Sequence, residues 1–254
     1  MTNQWMTTVY DVPRPSFFEG NVDIPLSTIQ FQPVESPIIL SETTLNGKRW
    51  YTSDGEHYPS ITTLIGATDV EGKLALEGWK SAIGEDAAAN ITKRAADRGI
   101  KWHKYCELYV QGLPVWQTLT DPGDMVYGYT LAQVLNCNVR RVFASETRVL
   151  SKKYGIAGRL DLGVELHNMR HAILDFKTGR KVKEGNRLNN YALQSTFYAD
   201  AVTECLWIPV ETIVVMQLLP KQILWQESGP VIWRSALRDR VKQYADMLAE
   251  VVVL

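Results

Sequence analysis

Two aspartates, Asp161 and Asp175, stand fourteen residues apart, and Lys177 follows two residues after the second. Each lies in a strand-like run, 158–166 and 171–178. Alternation along the first run places Arg159, Asp161, Gly163 and Glu165 on one face, with Leu160, Leu162, Val164 and Leu166 on the other. In the second, Asp175 and Lys177 share a face opposite Leu174 and Phe176. Polar against apolar is the pattern of a half-buried sheet. A hairpin symmetric about Asn168 sets Asp161 opposite Asp175 and Arg159 opposite Lys177. Directly opposed Cβ atoms sit about 4.5–5.5 Å apart, where like charges repel. Two carboxylates so placed require a cation between them, and a divalent metal is the natural candidate. The plainer alternative is that Asp175 and Lys177 form an exposed, weak ion pair.

The elements that must position these residues are readable around them. Segment 48–59 reads as a short hairpin turning at Asp54-Gly55. A short helix over 72–79 precedes a longer one starting near Gly84, with Glu85 and Asp86 in its first turn where acids favour the dipole. Ile91, Ala95, Trp102, Cys106 and Tyr109 form its apolar stripe. Gly99 either costs this helix about 1 kcal/mol or marks a close approach to its backbone. Further helices are expected over 124–138 and, capped by Asn186, over 188–206, with a short strand at 146–150 between them. Strands over 211–219 and 222–226 pair, and Pro230 opens a last helix ending near Val251. Helices, then strands, then a helix, a strand pair and a helix make an α/β (α+β) domain. We expect an extended N-terminal arm over 1–46, which holds five acids and one base (Arg14), and a single domain over 47–254.

Composition bounds the rest. The chain has 254 residues, 45% hydrophobic and 22% charged, which is ordinary globular usage. Three cysteines cannot supply a four-thiolate iron–sulfur or zinc site, and their odd number argues for a reducing compartment. No apolar run reaches the roughly 18 residues of a membrane span and no secretory signal opens the chain, so a cytoplasmic protein is expected. The net charge of −1 conceals ten Lys/Arg against five Asp/Glu between Glu146 and Arg187. A uniformly basic coat is excluded, whereas a local basic track is not.

The ordered combination of His103, "GRLD" ending at Asp161, "DFKT" over 175–178 and "QSTFY" over 194–198 resembles the PD-(D/E)XK nuclease superfamily, in particular its RecB-like exonuclease branch. Segments "YPSITTLIGA" (58–67) and "AADRGIKWHKYCELYV" (95–110) are similar to phage exonucleases related to the mitochondrial genome maintenance exonuclease. One departure is Ile100, where that family has a small polar residue.

The resemblance implies a restriction-endonuclease-like core, with a central mixed sheet flanked by helices and an N-terminal helical segment. It implies Mg²⁺ or Mn²⁺ held by Asp161, Asp175, His103 and the Phe176 carbonyl, with Lys177 positioning or helping to deprotonate the attacking water. It implies that Gln194 and Tyr198 buttress the site and meet the substrate. Arg98, Arg159, Arg180, Lys181, Lys183 and Arg187 are candidates for phosphate contacts, or a solvated charge run. Ser60, Thr62 and Thr63 either donate to phosphates or cap a turn. Trp79 and Tyr105 are candidate stacking residues, and Trp102 is better read as core. Glu107 and Glu146 are candidates for outer contacts to the metal, with Glu146 better read as a strand-end acid.

The implied activity is a metal-dependent exonuclease acting on DNA that is single-stranded or has free ends, in phage replication, recombination or repair. The N-terminal arm, in turn, either binds a replication or recombination protein partner or simply wraps the domain surface. A structure-specific endonuclease and a non-catalytic DNA-end binding module are the alternatives.

Overall fold

The structure, a computed structural model, describes residues 4–14 and 22–252. Its strands are β1 (Met6–Asp11), β2 (Gln30–Phe31), β3 (Ser41–Leu45), β4 (Lys48–Ser53), β5 (Glu56–Pro59), β6 (Val139–Ser145), β7 (Arg148–Ser151), β8 (Ile156–Arg159), β9 (Leu162–Leu166), β10 (His171–Thr178), β11 (Thr212–Leu219) and β12 (Gln222–Ser228). Its helices are α1 (Ile61–Thr68), α2 (Val70–Ile83), α3 (Glu85–Val110), α4 (Pro122–Asn138), α5 (Gly185–Leu206) and α6 (Arg234–Val252). Among the described residues, no helix is long and apolar enough to cross a membrane.

Seven strands form the central sheet in the order β1-β12-β11-β10-β9-β6-β2. β10 runs parallel to β11 and β2 parallel to β6, while the other neighbours are antiparallel. The central strands β9 and β11 are buried along their whole length. This corrects the half-buried expectation, because helices cover both faces and a sheet so covered reads as continuous apolar runs. On one face Phe143, Ile173, Ile213 and Val215 pack against Phe197, Trp233 and Leu237, which come from α5, the turn before α6 and α6 itself. On the other, Leu162, Leu174, Phe176 and Met216 pack against Trp102, Tyr105, Leu131 and Leu135 of α3 and α4. The mixed sheet flanked by helices is the architecture the resemblance implied.

The N-terminal segment differs from expectation. Rather than lying outside the domain, it supplies both edges of the sheet: β1 pairs with β12 and β2 with β6. β3 adds a third strand to the β4–β5 hairpin, whose turn sits at Asp54 (φ 51) and Gly55 (φ 80). β1 buries none of its residues, so no alternation marks it. A boundary at residue 46 therefore cuts through the sheet.

α3 runs unbroken through Gly99, where an added Cβ would meet only Thr178 Oγ1, at 3.5 Å. Apart from Ala88, its burial begins at Trp102, and Ile91 of the expected stripe is 41% exposed, because the first half of the helix projects beyond the sheet. Asn186 does not cap α5. Its side chain donates to Asp69 Oδ1 at 2.9 Å, and Asn190 donates to Asp69 Oδ2 at 2.9 Å. Asp69 also caps α2 by accepting from Gly72 N–H at 3.0 Å.

Candidate active site

The hairpin register is the one that alternation and the turn at Asn168 require. His171 pairs with Glu165 and Leu174 with Leu162, which points Asp161 at Asp175 one step beyond the ladder. There the chain breaks. The single strand expected over 158–166 is two, β8 and β9, with Leu160 and Asp161 between them. Leu160 N–H donates to Thr147 O (3.0 Å) and Glu146 N–H to Asp161 O (2.9 Å), so the backbone changes partners at this point. β8 pairs with β7, setting Arg159 opposite Arg148. Arg159 therefore does not face Lys177 as the unbroken strand required; its Nε lies 3.1 Å from Glu146 Oε2.

The kink frees Asp161 to turn toward β10 and α3. Its Oδ2 accepts from Phe176 N–H at 2.8 Å, and its Oδ1 lies 3.4 Å from His103 Nδ1. His103 Nε2 is 3.0 Å from the Phe176 carbonyl. Each imidazole nitrogen thus faces an oxygen. Burial pushes the His103 pKa down, but the hydrogen bond and charge of Asp161 outweigh it and hold the ring above its ordinary value. For Asp161, burial acts upward and is outweighed by His103, Lys177 and the Phe176 N–H, which hold it below the ordinary carboxylate range.

Glu146 completes the group. One ligating atom each from His103, Glu146 and Asp161 lies within 4.8 Å of the others. Glu146 occupies a left-handed backbone conformation (φ 49) between β6 and β7, a state that costs a non-glycine residue about 1–3 kcal/mol unless its surroundings fix it. Burial and the Asp161 charge raise its pKa against the pull of Arg159. The reading of Glu146 as a plain strand-end acid is corrected: it is no strand residue, and the strained turn aims its carboxylate at Asp161 and His103.

On the α5 side, Asp175 is 1% exposed and Lys177 Nζ sits 2.6 Å from its Oδ2. Asp175 is thus paired, yet far from the exposed pair of the plainer alternative. Its pKa is pushed up to about 6, chiefly by burial and further by Asp161, against the Lys177 charge. Lys177 Nζ also donates to Gln194 Oε1 at 3.1 Å, and Gln194 Nε2 donates to Tyr198 OH at 3.3 Å. Tyr198 packs where Gly158 has no side chain, since a Cβ there would come 2.7 Å from Tyr198 Cε1. The three short motifs are therefore one packed unit: Gly158 admits Tyr198, Tyr198 holds Gln194, and Gln194 holds Lys177. The lysine pKa is lowered by burial but raised more by Asp175 and Asp161, so it remains a cation.

His103, Glu146, Asp161, Lys177, Gln194 and Tyr198 border a cleft of about 440 Å³ that also presents Thr62, Glu107 and Arg159, while the buried Asp175 does not line it. Glu107 sits at its rim, paired with Lys104 at 2.9 Å. Arg49 and Lys104 line it too; Lys104 follows His103 on α3, whereas no motif marks Arg49, because the β4 hairpin reaches the cleft only through tertiary folding.

Several candidates fall elsewhere. Ser60 is 2% exposed and caps α1 by accepting from Thr63 N–H at 3.0 Å, while Thr63 Oγ1 donates to Arg49 O at 3.0 Å. Of the three hydroxyls, only Thr62 lines the cleft. Tyr105 is fully buried with its OH donating to Gly128 O at 2.6 Å, so it cannot stack on a base. Trp102 packs against Tyr127 and is core. Arg98 and Arg180 line an adjacent cleft, and the exposed Lys181 lines neither.

The donor set fits a hard divalent cation. It offers carboxylate oxygens from Asp161 and Glu146, one imidazole and a carbonyl oxygen, with Arg159 beside Glu146 and the Lys177–Asp175 pair alongside. Oxygen donors with one added imidazole are ligands that hard divalent ions accept.

The family model of the PD-(D/E)XK nuclease superfamily matches residues 84–250. No curated protein matches. The solved crystal structure of SSO0001 is similar at 16% identity over 74% of this chain and 75% of that chain, with a TM-score of 0.39.

Proposed function

From the premise that the chain belongs to the PD-(D/E)XK nuclease superfamily, we propose that it is a metal-dependent DNA exonuclease of the RecB-like branch. The observation that carries this reading is the convergence of His103, Glu146 and Asp161 beside the Lys177–Asp175 pair in one open cleft. Asp161, Glu146, His103 and the Phe176 carbonyl would hold the ion, with Asp175 closing the group from the α5 side; Mg²⁺ suits the carboxylates and Mn²⁺ the added imidazole. When bound, the ion supplies Lewis acidity to a phosphate oxygen and a lowered pKa for water.

The chain's own residues do the rest. Lys177, held between Asp175 and Gln194, orients the attacking water or helps to deprotonate it, and its ammonium offsets charge growing on the phosphate. Gln194 fixes the direction of the Lys177 ammonium, and Tyr198 fixes Gln194. Arg159, held by Glu146, and Thr62 stand on the cleft lining where they can donate to phosphate oxygens. The preference for ends and the role in phage DNA metabolism in a host cytoplasm are supported by the sequence resemblance.

Incubating the protein with linear single-stranded, linear duplex and circular DNA, in Mg²⁺, Mn²⁺ or a chelator, tests the reading. Loss of linear DNA alone, dependent on metal, is the expected result. Cleaved circles would make it an endonuclease, and intact DNA in both metals would leave a binding module.

A further inference from the structure

Against the catalytic cleft lies a second cleft of about 420 Å³. Leu76 and Trp79 of α2 and Ile91 of α3 give it an apolar lining. Five cations share that lining with Thr92, Ala95, Thr178 and Gly179: Arg94 and Arg98 from α3, and Arg180, Lys183 and Arg187 from the turn after β10 and the start of α5.

The positive charge is uncompensated. Elsewhere the arginines find acids: Arg140 and Arg141 meet Glu165, Arg159 meets Glu146, and Arg170 meets Glu227. Among the described residues, no carboxylate lies within ion-pair distance of these five cations. Arg98 Nε is buried without a hydrogen-bond partner. Burial, together with the charges of Arg187 and Lys181, pulls the Lys183 ammonium below its ordinary value. The apolar lining is equally unpartnered: α2 buries none of its residues, Leu76 is 45% exposed and Trp79 is half-buried.

Two chain segments pass directly from one cleft to the other. Arg98 lines the basic cleft and Gly99 the catalytic one; Lys177 lines the catalytic cleft and Thr178 the basic one. A ligand that fills both must be an extended polyanion with flat apolar groups. Phosphates meet the arginines, and a heterocyclic face meets indole.

Resting on the nuclease reading of the neighbouring cleft, we propose that the basic cleft holds an unpaired nucleotide adjoining the scissile phosphate, its base against Trp79 and its phosphate among Arg98, Arg180 and Arg187. A base inside a duplex is stacked on its neighbours and hides its faces, so only an unpaired one can lie on Trp79. The cleft thereby makes single-stranded DNA, or a frayed end, the preferred substrate.

Fluorescence anisotropy with a labelled thymidine oligonucleotide and a blunt duplex of equal length, both in chelator so that nothing is cut, tests this. Trp79→Ala should weaken single-strand binding by about tenfold, leave duplex binding unchanged, and be rescued by Trp79→Phe. Arg98→Ala and Arg180→Ala should each lower the slope of log affinity against log salt by about one. Thermal melts of the variants should match the parent, because α2 contributes nothing to the core.

Equal losses on both DNAs, or no loss on either, would overturn the proposal, as would unchanged salt slopes. Cleavage by the parent protein reports separately. If the parent degrades DNA while Trp79→Ala behaves like it, the basic cleft alone is refuted. If Trp79→Ala shows the strand-selective loss while the parent cuts nothing in either metal, the cleft stands and the nuclease reading falls.

Discussion

Asp161 and Glu165 are four residues apart on the same hairpin arm, and the protein surrounds them in opposite ways. Glu165, 5% exposed, is met by the guanidinium groups of Arg140 and Arg141, the latter at 2.8 Å. Burial pushes its pKa up, but those arginines outweigh it and hold the carboxylate below its ordinary range. Asp161 has one imidazole and a backbone N–H, with two other carboxylates for company. The first acid is saturated with permanent cations and holds β9 to β6. The second is met by an imidazole and a backbone N–H, with Lys177 and Arg159 beside its neighbouring acids, and opens on a cleft. A buried carboxylate saturated by arginines holds two strands together, whereas one with a shifted pKa among other titratable groups beside a cleft is where function is to be sought.

The largest separation between the two acids should appear in cleavage. Asp161→Asn keeps the shape and removes the charge, and Lys177→Ala removes the ammonium that faces the substrate. Each should lower metal-dependent turnover by about 10²- to 10⁴-fold, measured as nucleotide release, while DNA binding in chelator survives. Glu165→Gln should leave turnover close to that of the parent. Equal losses in all three variants would erase the distinction.

Stability should separate them in the reverse direction. Glu165→Ala leaves Arg140 and Arg141, both partly open to solvent, without their partner and should cost about 1.5–3 kcal/mol in chemical denaturation. Its pH dependence has a definite sign. The folded carboxylate titrates below its ordinary 4.5, so the stabilisation is complete above that pH and fades as acid carries the protein down through the depressed folded value. The gap between parent and Glu165→Gln should therefore be flat at neutral pH and narrow in acid. A gap that widened in acid would contradict the pairing.

Legibility in the sequence follows the same division. Asp161, Asp175 and Lys177 were readable because their spacing is local and the register of a tight hairpin follows from its turn. Gln194 and Tyr198 were readable as a motif, but not as the support of Lys177, which is a contact between a strand and a distant helix. β6 escaped: the sequence read a helix to Asn138 and then a strand from Glu146, passing over the segment that carries Arg140 and Arg141. The N-terminal edges escaped because edge strands exposed along their length carry no alternation; β1 is a strand only because β12 offers it hydrogen bonds. Glu146 was misjudged because a left-handed residue between two strands has no signature at a glutamate. The fold class was legible in outline, and the site in its strand-borne half.

Metal binding gives a smaller contrast. A ligand bound only by the folded state, at a hundred times its Kd, adds about 2.7 kcal/mol. Mn²⁺ or Mg²⁺ should therefore raise the melting temperature of the parent and of Glu165→Gln, and leave that of Asp161→Asn unmoved. A shift that survived in Asp161→Asn would place the ion elsewhere.

The finest test concerns Glu146, whose backbone and side chain can be separated. Glu146→Gln removes the carboxylate charge and keeps a side chain at φ 49. Glu146→Gly removes the charge and also suits the left-handed conformation. Both should weaken metal binding, the glycine variant at least as much, because glutamine keeps a neutral carbonyl oxygen where glycine keeps no donor. In chelator they should differ: the glycine variant gains back about 1 kcal/mol of strain relative to the glutamine, less what its freer unfolded chain returns. If the two are equally stable without metal, the strained turn carries no cost, and the conformation of Glu146 is simply what the β6–β7 connection imposes. If glycine is the more stable, the chain accepts strain at this position in order to direct a carboxylate at Asp161, which is what a site assembled for a cation requires and a structural turn does not.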